Sequence, residues 1–331
     1  MVSTFEALVV RKTADRTFAC GIETRSIDDL PDGDVLVRVH YSTVNFKDGM
    51  SCRGNPAVTR RFPHTPGIDA AGIVGISTSG AFGVGDRVML LSSEVGMTVP
   101  GGFGQYIRVP ASKLMKLDDA LSFEDAMAYG TAGHTAALSV AALLDAGIEP
   151  DKTEVVVTGA TGGVGCMSVA LLGGLGFRVT AVTGKTGARD FLLRVGASNM
   201  LGRAEFEDTS GRNLLAQKWD AAIDVAGGNL LSTAIRSLRD GGIAVATGMV
   251  QDTALHTTVL PFILRGIRLI GVNAENTDAA RRESVWNKMA TSWKPKNFKS
   301  LYSVIGLRDL PAAIDTLTRG EQVGRIVVDL R

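Results

Sequence analysis

The sequence predicts an α/β protein of two domains, one a doubly wound parallel sheet and the other mostly β. Three observations carry this. A β-branched strand, Glu154 to Val157, runs into a glycine-rich turn and then into helix-spaced apolar residues from Cys166 to Leu175. Strand and helix patterns then alternate as far as Val272. Ahead of them, from Phe5 to Val109, short apolar runs are separated by turn residues such as Pro31-Asp32-Gly33-Asp34, Gly83-Val84-Gly85-Asp86 and Pro100-Gly101-Gly102.

In the first part the expected strands are Ala7 to Val10, Val35 to Tyr41, Ala71 to Ile76, Arg87 to Leu91 and Tyr106 to Val109. Near Ser122 the composition shifts to an Ala- and Leu-rich stretch, Ala126 to Leu144, which marks a domain boundary. After the Glu154 strand come Arg178 to Thr183, Asn199 to Leu201, Ala221 to Val225, Ile243 to Thr247 and Leu269 to Val272. Six such strands complete a Rossmann-type sheet. The remaining tail has a Trp286-containing amphipathic stretch, an extended Tyr302 to Ile305, a helix from Leu310 to Thr318 and a strand from Arg325 to Leu330. It is too short to fold alone and is expected to rejoin the first domain. The expected division is 1–125 with 273–331, and 126–272.

A chain of 331 residues with 45% hydrophobic content can bury two ordinary cores. Its 35 basic and 34 acidic residues give a net charge of +1, which argues against general attraction to nucleic acid or an anionic membrane. Cys20, Cys52 and Cys166 are widely spaced, with no C-x-x-C pair, so neither a disulfide framework nor a cysteine-rich zinc site is expected. Glu6 interrupts the short apolar run at the N-terminus, and basic residues follow that run, the reverse of a signal peptide. No apolar run reaches membrane-spanning length. The expected compartment is the cytoplasm.

The turn Gly159-Ala160-Thr161-Gly162-Gly163-Val164-Gly165 predicts a dinucleotide site. Gly159, Gly162 and Gly165 let backbone turn sharply, approach a pyrophosphate and pack helix on sheet, while the helix start offers free N–H groups. At the end of the second strand, where an NAD site places an acid, the sequence reads Thr183-Gly184-Lys185. A hydroxyl, a bare backbone and a cation suit a 2′-phosphate, so NADPH is favoured over NADH. Arg203 could add a second cation or lie along the adenine; the alternative for both cations is ordinary surface charge.

Three segments join the glycine turn in order: Val44-Asn45-Phe46-Lys47-Asp48-Gly49, Thr65-Pro66-Gly67-Ile68-Asp69-Ala70-Ala71-Gly72 and Gly130-Thr131-Ala132-Gly133. With them the chain resembles the medium-chain dehydrogenase/reductases. Leu260-Pro261-Phe262-Ile263-Leu264-Arg265 and Gly324-Arg325-Ile326-Val327-Val328 resemble the YhdH/YhfP-type quinone oxidoreductase branch, which includes acryloyl-CoA reductases. The resemblance covers essentially the whole chain and implies that the first domain is GroES-like and catalytic. It also implies cofactor contacts at Phe46, Thr161 to Val164, Thr183 to Lys185, Arg203, Met249, Ile263, Ala274 and Arg325, and a homodimer joined through the edges of its nucleotide-domain sheets. Phe46 stands where the branch commonly has a tyrosine, so ring packing is kept and a phenol contact is lost.

Zinc alcohol dehydrogenases of the superfamily have a cysteine and a histidine where this chain has Asn45 and Ile68, and isoleucine cannot ligate zinc. His40, His64, His134 and His256 form no helix-spaced pair. A metal-free reductase is expected. Conjugate addition to an α,β-unsaturated thioester suits it, because charge then reaches the carbonyl oxygen as an enolate that hydrogen-bond donors stabilise.

Asn45 as amide donor and Asp48 as orienting acceptor are the expected catalytic floor; an Asx turn and a buried structural carboxylate are their alternatives. Met249 follows the fifth strand at its carboxyl end, where ligands sit, and Arg325 offers a cation to phosphate or ribose, or else a surface ion pair. Arg53, Arg60 and Arg61 could receive the phosphates of a CoA thioester, or be solvated. The expected reaction is NADPH-dependent reduction of acryloyl-CoA to propanoyl-CoA. Reduction of quinones or free enones by the same chemistry is the alternative, and a non-catalytic NADPH-binding or sensing protein is the alternative of another class.

Overall fold

The computed structural model of the chain describes residues 3–91, 94–151 and 153–331. The chain divides into two compact units: one reaches to Thr131 and resumes from Tyr302 to Arg331, and the other is Ala132–Leu301. The first contains β1 (Thr4–Ala14), β2 (Thr17–Ser26), β3 (Val35–Thr43), α1 (Phe46–Cys52), β4 (Asp69–Ser77), β5 (Arg87–Leu91), β6 (Tyr106–Val109) and β7 (Leu114–Lys116). The long helix α2 (Phe123–Asp145) is broken at Gly130, whose φ of 50° and ψ of −157° are not helical. The second unit takes up its remainder and continues with β8 (Glu154–Val157), α3 (Gly163–Gly174), β9 (Arg178–Thr183), α4 (Arg189–Val195), β10 (Asn199–Gly202), α5 (Arg203–Phe206), β11 (Trp219–Asp224), α6 (Gly228–Arg236), β12 (Leu238–Ala246), α7 (Leu260–Arg265), β13 (Arg268–Gly271) and α8 (Ala279–Ala290). The tail adds β14 (Tyr302–Gly306), α9 (Leu310–Thr318) and β15 (Arg325–Asp329) to the first unit.

In the second unit the six strands pair in the order β10-β9-β8-β11-β12-β13, every pair parallel. Val155, Val156 and Val157 are wholly buried, as a central strand covered on both faces requires. The strand order reverses between β8 and β11, the position at which an open α/β sheet binds ligand beyond its strand ends. There Thr158 Oγ1 donates to Asp224 Oδ1 at 2.5 Å, and Asp224 Oδ2 accepts the Gly227 N–H at 2.7 Å. The turns after β8 and β11 are thereby tied together.

In the first unit, β14, β15, β3, β4, β5 and β7 pair in that order, and β6 also pairs with β3. Its core includes Leu8, Val37, Val88, Leu90, Phe103 and Ile107. The tail rejoins this unit through β15, which runs antiparallel to β3 and pairs Val327 with Thr43.

The structure adds strands β2 and β7 to the sequence reading and moves the domain boundaries. Strand β2 does alternate, with Phe18, Cys20 and Ile22 packed against the core between exposed Thr17, Ala19 and Gly21, but small residues at the exposed positions blur the period in the sequence. The expected boundaries at 125/126 and 272/273 fall instead at 131/132 and 301/302. Residues 273–301 stay with the second unit: Val285, Trp286 and Met289 are buried, Arg281 pairs with Asp145, and Asn297 Nδ2 donates to the Arg194 carbonyl at 2.8 Å.

Candidate active site

The second unit builds a cradle at the β8–α3 turn. Gly159 has φ +57°, and a Cβ on Gly165 would stand 2.2 Å from the Gly159 carbonyl oxygen, so the turn tolerates no side chain at Gly165. Gly162 is the N-cap of α3, whose first turn contains Gly163, Val164 and Gly165; first-turn N–H groups have no intrahelical acceptor. The 12-residue helix directs them and its positive dipole end to this turn. Thr161 Oγ1 lies 3.1 Å from Thr183 Oγ1 at the end of β9, and Lys185 Nζ donates to Thr161 Oγ1 at 3.2 Å. The Lys185 ammonium is half-buried and its pKa is lowered, first by burial and then by Arg203. Arg203 Nε is 3.7 Å from where a Gly184 Cβ would be, so the guanidinium lies against a bare backbone. Two cations and two hydroxyls thus converge at the strand end that carries no carboxylate. This donor set fits a phosphate-bearing ribose better than one with free hydroxyls.

Met249 and Ile263 are exposed at 70% and 69%, unusual for large apolar side chains, and Ala274 opens a short 3-10 turn after β13. All three belong to the same unit as the cradle.

The first unit holds the second constellation. Asn45 caps α1, and its backbone N–H donates to Asp48 Oδ2 at 2.8 Å. Asp48 Oδ1 accepts the N–H groups of Gly67 and Ile68 at 3.1 and 3.0 Å. Burial drives the Asp48 pKa up to about 7, with the Asp69 charge also raising it and these backbone donors opposing. Asp48 therefore braces α1 against the Gly67–Ile68 backbone.

Asn45 Nδ2 donates to Asp69 Oδ2 at 2.9 Å, while its Oδ1 accepts from Arg325 at 3.2 Å. Asp69 is wholly buried; its Oδ2 also accepts the Thr131 N–H at 2.8 Å and its Oδ1 the Thr131 hydroxyl at 2.5 Å. Burial raises the Asp69 pKa, against the pull of Thr131, Arg325 and Asn45. Arg325, expected to face phosphate or ribose, is 3% exposed. It donates to the carbonyls of Ala128 (3.2 Å) and Val44 (2.9 Å) and to Thr43 Oγ1 (2.8 Å), as well as to Asn45. Its guanidinium is a strut between the α1 entry, β3 and the first half of α2. Asn45 correspondingly has its amide held at both ends rather than free for a substrate carbonyl.

That network presents Phe46, 48% exposed, and Lys47 at the start of α1. The Lys47 pKa is lowered by burial despite the nearby charges of Asp48 and Asp69. Of the arginines, Arg53 is engaged within the unit, donating to Thr318 and pairing with Asp315 at 3.8 Å. Arg60 gives one N–H to the Pro56 carbonyl, and both Arg60 and Arg61 are exposed. Ile68, which the sequence reading set against a zinc ligand, is buried, and among the described residues no cluster of three His, Cys, Asp or Glu is placed to hold a metal.

Asp69, Thr131 and Thr43 were given no role by the sequence reading, although Asp69 and Thr131 lie inside segments it singled out. The signal was present as an acid directly after Gly67-Ile68 at a strand start and a threonine after a glycine within an apolar helix. Only the fold brings residues 43, 45, 69, 131 and 325 together.

Comparison with known proteins gives the family. Residues 31–119 match the family model described as alcohol dehydrogenase GroES-like domain, and residues 163–291 match that of zinc-binding dehydrogenase. The chain is 38% identical to the acrylyl-CoA reductase AcuI of Ruegeria pomeroyi, over 98% of this chain and 99% of that one. It is 37% identical over all of both chains to YhfP of Bacillus subtilis, whose name places it among quinone oxidoreductases. Among solved structures, the yhdH oxidoreductase of Salmonella enterica in complex with NADP superposes with a TM-score of 0.94 at 39% identity, covering 98% of this chain and 100% of that one.

Proposed function

The chain belongs to the medium-chain dehydrogenase/reductase superfamily, in its YhdH/YhfP-type branch, and from that premise we propose that it reduces acryloyl-CoA to propanoyl-CoA with NADPH and without zinc. It is an NADPH-dependent oxidoreductase; the thioester substrate is the finer reading. The observation that carries it is the 38% identity to an acrylyl-CoA reductase along practically the entire length of both chains.

NADPH, when bound, supplies a hydride to the electron-poor β carbon of the substrate. Thr161, Thr183, Lys185 and Arg203 would hold its 2′-phosphate, and the N–H groups of Gly163 to Gly165 would hold its pyrophosphate. Met249, Ile263 and Ala274 complete that side with apolar surface. Asn45 and Asp48 act by position. Asp48 fixes the first turn of α1, Asp69 and Arg325 fix the Asn45 amide, and the turn presents Phe46 as a packing face for the cofactor. Arg60 and Arg61 receive the CoA phosphates.

The likeness to YhfP favours a second reading, reduction of quinones or free enones by the same hydride chemistry. A panel of acryloyl-CoA, crotonyl-CoA and a simple quinone separates the two when NADPH oxidation is followed with EDTA-treated protein. Turnover confined to acryloyl-CoA is expected; turnover with the quinone alone overturns the thioester assignment, and activity lost to EDTA and restored by zinc overturns the metal-free one.

We further propose that two chains associate through β13, an edge strand flanked by the exposed Val259 and Leu264 of the adjoining α7 segment. A sedimentation mass of one chain would refute this.

A further inference from the structure

Two of the three cysteines, distant in sequence, meet in the first unit. Cys20 lies on β2, and Cys52 is the last residue of α1. The Cys20 thiol donates to the Cys52 carbonyl oxygen at 3.8 Å, which sets the two cysteines side by side. Cys52 is buried in the core, whereas Cys20 is half-buried and therefore open to a small solute. The segments are pressed together: a Cβ on Gly54, just past α1, would meet the Phe18 ring of β2 at 2.0 Å. Cys166 is a third thiol in a different setting, wholly buried at the start of α3 in the other unit, with its Sγ 3.4 Å from the Gly163 carbonyl oxygen.

We propose that Cys20 and Cys52 form a hydroperoxide-reactive dithiol that closes to an intramolecular disulfide, joining β2 to the C-terminal end of α1. Cys20 is the attacking sulfur. Its thiol pKa is lowered, first by the Cys52 side chain beside it and last by the Arg53 charge, with burial and the Asp315 charge opposing. The Cys52 pKa is raised, first by Cys20 and then by burial, which makes it the second thiol to react.

In the first step the Cys20 thiolate attacks the hydroperoxide oxygen, an S–O bond forms, the O–O bond breaks, and the alcohol leaves with a proton; Cys20 becomes a sulfenic acid. In the second, the Cys52 sulfur attacks the Cys20 sulfur, hydroxide is displaced, and it leaves as water with the Cys52 proton. The two thiols together lose two hydrogens and two electrons, and the hydroperoxide is reduced to alcohol and water. The link ends at the helix whose first turn carries Asn45, Phe46 and Asp48. It forms a modification site separate from the reduction chemistry.

The test treats the folded wild-type protein with hydrogen peroxide, removes the peroxide, denatures the protein in an alkylating agent to block the remaining thiols, and maps peptides by mass with and without reductant. The expected product is a Cys20–Cys52 cross-linked peptide, lost on reduction, with Cys166 still alkylated. In Cys52→Ser, peroxide should leave Cys20 as a sulfenic acid trapped by dimedone. Sulfinic acid on wild-type Cys20 without a cross-link, a disulfide between chains, or a link to Cys166 would each overturn the proposal.

Discussion

Replacing Gly130 with alanine tests whether the buried network around Asn45 sets activity. A methyl group there would sit 2.5 Å from Asp69 Oδ2, 2.8 Å from Thr43 Cγ2 and 3.1 Å from an Arg325 terminal nitrogen. Each lies inside van der Waals contact, and Asp69 and Arg325 hold Asn45 from opposite sides. The backbone adds strain, because φ +50° with ψ −157° is a region that L-residues avoid. Strain of about 1–3 kcal/mol and overpacking of about 1–3 kcal/mol predict a loss of about 2–6 kcal/mol in stability. Relieving the clash displaces Asp69 from Asn45, and a displacement approaching 1 Å predicts kcat/KM for acryloyl-CoA down by about 10- to 100-fold. Urea denaturation and steady-state kinetics on the same preparation read both effects. Gly147→Ala, also at positive φ but with nothing within 4 Å, carries the strain without the clash and should keep its kcat/KM. If Gly130→Ala stays within about 0.5 kcal/mol of wild type with unchanged kinetics, the network does not position the site.

Three further predictions follow from the same geometry. Lys185→Ala removes a charge-assisted contact of about 1.5–3 kcal/mol, so KM for NADPH should rise about 10- to 100-fold while KM for NADH changes little; equal effects would contradict a 2′-phosphate role. The Arg60→Ala, Arg61→Ala pair should raise KM for acryloyl-CoA and leave a CoA-free enone unaffected, whereas Arg53→Ala should lower the melting temperature instead, because Arg53 is tied to α9. Asp48 has its folded pKa raised to about 7 from 3.8, so its contribution to stability is fully present below about pH 4 and is lost as pH rises through about 7. At about 1.4 kcal/mol per unit this is about 4 kcal/mol. Stability curves of wild type and Asp48→Asn should therefore diverge in shape between pH 4 and 7, and parallel curves would place the Asp48 pKa near its ordinary value.

The fold was legible in the sequence wherever residues alternate with a clear period. The strand Arg178–Thr183 has the bounds read from its β-branched run, and the glycine turn that starts at Gly159 leads from β8 into the first turn of α3 as its glycines require. Strand β2 was not read, because Ala19 and Gly21 rather than polar residues separate Phe18, Cys20 and Ile22 and blur the alternation, and α8 was assigned to the wrong unit, because an amphipathic helix does not reveal which core it covers. In the site, the bare Gly184 beside Lys185 could be read locally. The roles of Asp69, Thr131 and Arg325 could not, because they depend on bringing a strand start, a helix break and the last strand together. Arg325 illustrates the difference: as sequence it is a cation in a tail, and as structure it is a buried strut.

The central claim is hydride delivery to the β carbon of an unsaturated thioester. Its most direct test is reduction of acryloyl-CoA with NADPH deuterated at both C4 positions, followed by mass and NMR analysis of the product. The account predicts propanoyl-CoA with one deuterium at C3 and a solvent proton at C2. Deuterium at C2, or NADPH oxidation with no labelled thioester product, would contradict it.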